Sequence, residues 1–239
     1  MMLHIFLIAL LREIQTVKFE EVYHRAVEHK GGVKELSLLL AGFPEPEPVA
    51  MLREDRFLAE MTRCVFQAGF VWRVINQKWP GFEEVFHGFD VNAILALLPD
   101  EWDEIRQDVR IVRNCQKINS VRANAQFIED IALETGSFAQ FISDWPEADL
   151  IGLLGLLKER GSRLGGNSGQ RFLRNVGKDC FYLSKDVIRC LQNSGLNIKD
   201  NPTSKRDLQA IQDIFNQWHE ESKLSYNHIS KIAAYSISS

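Results

Sequence analysis

The sequence lacks the features that would indicate a disulfide framework or a membrane protein. Its four cysteines, Cys64, Cys115, Cys180 and Cys190, form no Cys-x-x-Cys pair and stand within apolar helical patterns. We therefore predict that the four thiols are buried and that the protein occupies a reducing compartment. The first residues, MMLHIFLIALLREIQ, carry an apolar run of only about seven residues, which is too short to span a bilayer. Because this segment also lacks a basic start and a cleavage site, we expect a packed helix and not a signal.

The chain also has no overall excess of positive charge. The net charge is −4 and the pI is near 5.9, which argues against a protein that binds nucleic acid over its whole surface. Any such contact must come from a local basic patch and should depend strongly on salt. With 45% apolar and 25% charged residues, the composition is that of an ordinary globular protein.

The sequence has few alternating β-branched runs, no repeat of fixed period and no low-complexity tract. Helical periodicity is present almost throughout. Apolar residues from Phe57 to Ile75 follow at steps of four and three, which predicts one buried helical stripe that ends at Pro80-Gly81. Asp90 and Thr203 or Ser204 are positioned to cap later helices. The Pro-rich, acidic segment 41–50 is the best linker candidate, but its flanks look too short to fold alone. We therefore predict an all-α fold, with residues 1–239 forming one unit of two lobes.

Residues 163–190 are the most informative stretch. An amphipathic segment breaks at Arg174-Asn175-Val176-Gly177, and a second one is predicted to begin at Lys178. Residues 158–189 hold eight Lys and Arg against three Asp and Glu, although the whole chain is acidic. Gly177 can adopt positive φ and let a phosphate approach the backbone, while the next helix would direct its free N–H groups at that phosphate. The pattern suggests a tight helical hairpin that grips a nucleic-acid backbone.

Several blocks in residues 57–195 together resemble the DNA-3-methyladenine glycosylase I family, of the helix-hairpin-helix DNA glycosylase superfamily. The most specific are Gln67-Ala68-Gly69-Phe70-Val71-Trp72, which matches a Q-A-G-x-x-W core, and Arg113-x-x-x-Lys117-Ile118. Phe172-x-x-x-Val176-Gly177 falls where the family has its hairpin, and Tyr23-His24 corresponds to a Tyr-His pair near the family's N-terminus. The resemblance implies a two-lobed, all-α glycosylase fold, with the helix-hairpin-helix at about 163–190.

The resemblance also implies where a damaged base would bind. An N-glycosidase takes the base out of the stack and holds it between apolar faces. We place Tyr23, Phe66 and Trp72 at that pocket, with the Gln67 amide facing a base edge and Cys64 nearby. For Phe66 and Trp72 the alternative is an ordinary core position. The backbone grip would use Arg174, Asn175, Val176, Gly177 and Lys178, together with Arg113 and Lys117, unless the latter two only form a solvated helix face.

A carboxylate is needed near the anomeric carbon to offset developing positive charge or to activate water. Many members of the superfamily have an Asp downstream of the hairpin glycine, and Asp200, 23 residues after Gly177, is the nearest match here. Its alternative is a turn before Asn201-Pro202. Glu60, one helical turn before Cys64, could also supply the acid, with a solvated or salt-bridged Glu as its alternative.

Two departures from the family matter. The family has a Glu three residues before its Q-A-G, where it helps to recognise the damaged base, and Cys64 takes that position here. The family also holds zinc with Cys and His near its two ends. Here no Cys precedes Cys64 and none follows Cys190, so we predict no metal and no cofactor.

We therefore expect a cytoplasmic, monomeric DNA glycosylase of base-excision repair. It would bind double-stranded DNA that contains a damaged base and hydrolyse the N-glycosidic bond of an alkylated purine, most plausibly 3-methyladenine, without lyase chemistry. Two alternatives stay open. One is a helix-hairpin-helix DNA-binding protein without catalytic activity, and the other is a glycosylase for a different damaged base.

Overall fold

A computed structural model describes residues 17–41 and 48–238. Within these ranges all regular structure is helical and no β-strand occurs, so the predicted all-α class is confirmed. The α-helices are α1 (Phe19–Lys30), α2 (Val33–Ala41), α3 (Glu54–Gln67), α4 (Trp72–Val85), α5 (Val91–Ala96), α6 (Pro99–Gln107), α7 (Cys115–Thr135), α8 (Phe138–Asp144), α9 (Leu150–Arg160), α10 (Asn167–Asn175), α11 (Lys185–Asn193), α12 (Lys205–Ser222) and α13 (Tyr226–Tyr235). Short 3-10 turns cover Val49–Met51, His87–Phe89 and Glu147–Asp149.

The chain divides into two compact units. The terminal unit contains α1, α2 and α11 to α13, and the central unit contains α3 to α10. The predicted N-terminal apolar helix and most of the Pro-rich segment 41–50 lie outside the described residues. That the whole chain forms one glycosylase unit stays a prediction. No helix among the described residues is both long enough and apolar enough to cross a membrane.

Capping side chains fix several helix starts where the sequence predicts them. The Asp90 carboxylate accepts a hydrogen bond from the Ala93 N–H, and the Ser204 hydroxyl accepts one from the Asp207 N–H. Each side chain thereby satisfies one of the free amide groups in the first turn of its helix. At the other end of α7, Gly136 adopts positive φ and closes the helix, as its place after the apolar pattern predicts.

Aromatic packing builds the core of the central unit. Helix α3 packs against both α7 and α10. The buried ring of Phe57 meets Phe138 at 5.2 Å and Phe172 at 6.3 Å, both edge to face. Such pairs add to the gain from burying large apolar side chains. This core anchors α3, which carries most of the residues that the sequence assigns to the site.

The single helix predicted across residues 57–75 is wrong, because the backbone leaves helical geometry between Ala68 and Val71. Gly69 has φ +81°, and α4 begins anew at Trp72. The predicted end at Pro80-Gly81 is also wrong, since α4 continues to Val85 with Pro80 inside it. Gly81 fits this position because a Cβ there would lie 2.7 Å from the Arg110 carbonyl oxygen.

The terminal unit has an aromatic core of its own. Helix α13 packs against α1 and α11. Phe181 stacks on Phe215 with ring centroids 4.5 Å apart, and Trp218 contacts Phe215 at 5.8 Å. The Trp218 indole N–H donates to the Val17 carbonyl at 3.1 Å, so the start of the described chain is attached to α12.

Three of the four cysteines are buried and all are free. Burial raises the pKa of the Cys180 thiol to about 12 and also raises the pKa of the Cys64 and Cys190 thiols. The prediction that every cysteine is buried is wrong for Cys115, which lies exposed at the first residue of α7.

Candidate functional site

The hairpin turn after α10 differs from its predicted form. Gly177 has φ +93°, as expected for a glycine that closes a helix, and the Lys178 N–H donates to the Leu173 carbonyl at 2.9 Å. The predicted helix start at Lys178 is wrong. Residues 178–184 are not helical, and α11 begins at Lys185, where the Ser184 hydroxyl accepts from the Val187 N–H. The free amides of a following helix are therefore not adjacent to Gly177.

Lys178 is buried beneath the turn and does not point to solvent. Its ammonium donates to the Ser143 carbonyl at 2.9 Å and to the Trp145 carbonyl, and it pairs with the Glu147 carboxylate at 2.8 Å. These groups fully occupy the three donors of the ammonium. The predicted phosphate contact of Lys178 is therefore corrected to a structural role that ties the hairpin to the end of α8.

Lys117 has a comparable structural role at the end of α3. Its ammonium donates to the carbonyls of Val65 at 2.8 Å and Phe66 at 3.3 Å, and also to Ala68. It lies 4.4 Å from the centroid of the Phe70 ring. Burial, with a smaller contribution from Arg163, lowers the pKa of Lys117 below its usual 10.5. The predicted backbone contact of Lys117 is thus corrected to capping of free helix carbonyls.

Arg113 lies exposed in the non-helical segment before α7, so the helix face predicted around it does not exist. Its exposure leaves it accessible to a phosphate, and its contact with DNA stays a prediction. Arg174, in the last turn of α10, is partly buried.

A cavity of about 310 Å³ lies between α3 and the hairpin turn, entirely within the central unit. It brings together Glu60, assigned from the sequence as a possible acid, and the turn residues Asn175, Val176 and Gly177. Four further lining residues were not predicted: Leu52, Arg56, Ala59 and Arg63. The sequence therefore identified one acid and the turn, but did not indicate that they share a cavity.

The Glu60 carboxylate has fixed partners in this cavity. Its Oε1 accepts from the Asn175 side-chain amide at 2.7 Å and lies 3.4 Å from the Cys64 Sγ, while its Oε2 lies 3.7 Å from the Arg63 Nε. Arg63 stacks over the Trp79 ring at 4.2 Å. Arg56, by contrast, forms a two-pronged pair with Glu83 and donates to the Gly88 carbonyl. The carboxylate is thus held in one orientation with a cation at its edge.

Cys64 follows Glu60 by one helical turn and is fully buried. Desolvation, and then the nearby negative charge of Glu60, raise the pKa of its thiol well above the usual range. A thiol in this state stays protonated at neutral pH and is a poor nucleophile. The geometry therefore agrees with the sequence-based view of an inert thiol.

The Q-A-G-x-x-W segment lies at the junction of α3 and α4. Trp72 is 49% exposed, and the Arg171 guanidinium lies 4.3 Å from its ring centroid. Gln67 is nearly buried and its amide donates to the Asn76 side chain at 3.3 Å. Phe66 is fully buried against Phe82 with centroids 4.7 Å apart. Of its two interpretations the core position is therefore correct, because a sealed ring cannot stack on a base.

Exposed apolar side chains surround Trp72. Phe70, Val71 and Val74 are all exposed, as the end of α3 turns into α4. Burying apolar surface is the main favourable term in folding, so a run of exposed apolar residues commonly marks a contact surface. Their clustering depends on the break at Gly69, which helical periodicity alone does not reveal.

Two residues assigned from the sequence belong to the terminal unit. Tyr23 on α1 is partly exposed and lines a cavity of about 520 Å³ with Lys18, Phe19, Glu20 and Glu221. Asp200 is exposed after α11, and its carboxylate accepts from the Gln192 side chain at 3.0 Å. Their roles in base binding and catalysis stay predictions. Within residues 17–41 and 48–238, no three His, Cys, Asp or Glu side chains are grouped to hold a metal.

Residues 49–151 match the sequence model of the family described as methyladenine glycosylase, which confirms the predicted resemblance over this segment. A solved 3-methyladenine DNA glycosylase I is similar at 23% identity and a TM-score of 0.47, over 56% of this chain and 81% of that one. The Staphylococcus aureus enzyme of that name is 20% identical, with a TM-score of 0.48, over 67% and 87%. A Methanocaldococcus jannaschii 8-oxoguanine glycosylase/lyase is 14% identical, with a TM-score of 0.47, over 96% of each chain.

Proposed function

We propose that this chain, whose residues 49–151 match the methyladenine glycosylase family, is a DNA glycosylase that removes an alkylated purine, with 3-methyladenine as the first substrate to test. The observation that carries the proposal is where the match falls. It covers the segment that holds Glu60, Gln67 and the exposed Trp72, to which we assign base binding and catalysis.

Release of an alkylated purine requires little acid catalysis from the protein. A purine alkylated on the ring is a cation, so it leaves readily with the electron pair of the glycosidic bond. Water then adds to the anomeric carbon and loses a proton. The enzyme has to extract the base from the stack, hold it, and stabilise the cationic sugar. The exposed ring of Trp72 offers a stacking face, and the apolar surface of Phe70 and Val71 suits contact with unstacked bases.

Glu60 is the better candidate for stabilising the sugar cation. Its carboxylate faces a cavity that Gly177 of the hairpin turn also lines. Asp200 is exposed and engaged by Gln192. The Asn175 side-chain amide donates to the Glu60 carboxylate and holds it in one orientation.

One observation favours the alternative of a DNA-binding protein without activity. The position at which the family has a Glu is here a buried, protonated thiol, and the nearest carboxylate already bonds Asn175. Such a protein would keep the hairpin turn and lose base recognition.

The test is single-turnover release of bases from methylated duplex DNA, with the products identified by mass. We expect 3-methyladenine to be released by the wild type and not by a Glu60→Gln/Trp72→Ala double variant. Release of a different base would keep the glycosylase and change its substrate. A wild type that binds duplex DNA and releases nothing would establish the inactive binding protein. Absence of stoichiometric zinc, a monomeric state and a cytoplasmic location stay predictions.

A further inference from the structure

The terminal unit contains a cavity whose lining carries one sign of charge. It has a volume of about 330 Å³ and is formed by α1, α11 and the end of α13. Arg25 and His29 come from α1, Arg189 and Asn193 from α11, and Ser236 and Ser238 from the end of α13. None of the described residues that line it carries a carboxylate. In a chain with a net charge of −4, such a cavity is a local reversal of sign.

The two guanidinium groups have no ion-pair partner within the part of the chain that the structure describes. The Arg25 Nη2 is moreover buried without a hydrogen-bond acceptor. A charged donor left in this state costs free energy, which an anion in the cavity would recover. Arg25 and Arg189 sit on separate helices, so the spacing of the pair is set by packed elements and not by a loop.

A structural explanation for these arginines is that they stabilise the negative ends of the three helices that finish here. At each of those ends, carbonyls of the last turn already have backbone donors. Ser194 N–H donates to Cys190 and Leu191 at the end of α11, and Ser236 N–H donates to Ile232 at the end of α13. Gly31 and Gly32 close α1 in the same way. The arginines are therefore not needed as caps.

We infer that this cavity binds a phosphate group. The planar guanidinium presents paired N–H donors that match two oxygens of a phosphate, and the hydroxyl of Ser238 and the amide of Asn193 are suited to the remaining oxygens. If the proposed function holds, the phosphate is a backbone phosphodiester of the duplex. Free phosphate is the other possible source of the same chemistry.

The experiment uses Arg189→Gln, because this side chain is exposed and its replacement should leave folding intact. Arg206→Gln is the matched control, since Arg206 is also exposed in the terminal unit and does not line the cavity. Affinity for an undamaged duplex is measured across salt concentrations. In parallel, Tm is measured in inorganic phosphate and in chloride at equal ionic strength.

We expect the salt slope of duplex binding to fall by about one unit in Arg189→Gln and to stay unchanged in Arg206→Gln. Phosphate should raise the Tm of the wild type and the control, but not of Arg189→Gln. A Tm effect without a slope change would assign the site to free phosphate, and a slope change alone would assign it to DNA. Equal slopes in all three proteins, with no specific response to phosphate, would overturn the inference. The duplex carries no damaged base, so this result is independent of whether the chain releases bases.

Discussion

In the central unit, the cavity beside the hairpin turn combines the Glu60 carboxylate with Arg56 and Arg63. The cavity of the terminal unit instead presents arginines, with no acid among its described lining residues. The cations of the central unit are mostly engaged. Arg56 pairs with Glu83, and Lys178 is held by carbonyls and Glu147. Within residues 17–41 and 48–238, the arginines of the terminal cavity have no carboxylate partner. A cavity with an oriented acid suits chemistry on a substrate, and a cavity with uncompensated cations suits holding an anion.

The proposed role of Glu60 as the catalytic carboxylate gives the sharpest test of this contrast. In Glu60→Gln the single-turnover rate of base release should fall by about 10²–10³-fold, because one well-placed electrostatic group is lost. Asp200→Asn should change the rate far less. Glu104→Gln, an exposed Glu on α6, is the matched control. The opposite ranking of Glu60 and Asp200 would move the chemistry to the terminal unit.

Neutralising a buried, paired cation of the central unit should affect stability, whereas neutralising an arginine of the terminal cavity should affect binding. Lys178→Met removes the donor that satisfies Ser143, Trp145 and Glu147, so the free energy of unfolding should fall by about 1–3 kcal/mol in urea denaturation. The salt slope of duplex binding should not change, because the ammonium is not available to phosphate. A reduced slope with unchanged stability would show that Lys178 faces the DNA after all.

The aromatic residues of the two units can be compared in the same assay. Trp72→Ala should slow base release by about 10- to 100-fold, the effect of losing a stacking contact worth about 1–3 kcal/mol. Affinity for undamaged duplex should stay the same, since the hairpin turn is untouched. Tyr23→Ala is the comparison in the terminal unit. If Tyr23 matters and Trp72 does not, the base pocket does not lie at the junction of α3 and α4.

The lowered pKa of Lys117 predicts a small pH dependence of stability that arises in the central unit. Its pKa is lowered in the folded protein, so between that value and 10.5 the unfolded chain binds more protons than the folded one. Its contribution to stability therefore rises with pH in this window, by at most about 1.4 kcal/mol per pH unit. Unfolding measured at alkaline pH should therefore show a more positive slope in the wild type than in Lys117→Met, because the buried thiols, whose pKa values are raised, lower the slope of both proteins alike. Identical slopes would mean that the ammonium is better solvated than its contacts imply.

The sequence predicts those helix starts at which a capping side chain directly precedes the helix. Asp90 and Ser204 start helices because their side chains accept from amides three residues ahead, which depends on neighbouring sequence only. The sequence does not predict the break between α3 and α4, because both helices keep apolar residues at helical spacing. The left-handed Gly69 that separates them interrupts the apolar stripe only briefly.

The sequence named two possible acids, Asp200 and Glu60, and Glu60 is the one that shares a cavity with the hairpin turn. The sequence did not indicate the positions of the basic residues. Lys117 and Lys178 look like exposed cations in the sequence, yet each is bound by carbonyls from segments far away along the chain. Local patterns do not show which distant carbonyls lack donors. The same limit applies to the cavity of Arg25 and Arg189, which lie on two helices more than 150 residues apart.

The distribution of the thiols makes the native chain suitable for site-specific labelling. Cys64, Cys180 and Cys190 are buried and protonated, so they should react slowly with maleimides, while Cys115 is exposed at the start of α7. One fluorophore per chain could then be attached without removing any cysteine. It would lie two residues from Arg113, where a change in emission would report the arrival of a duplex.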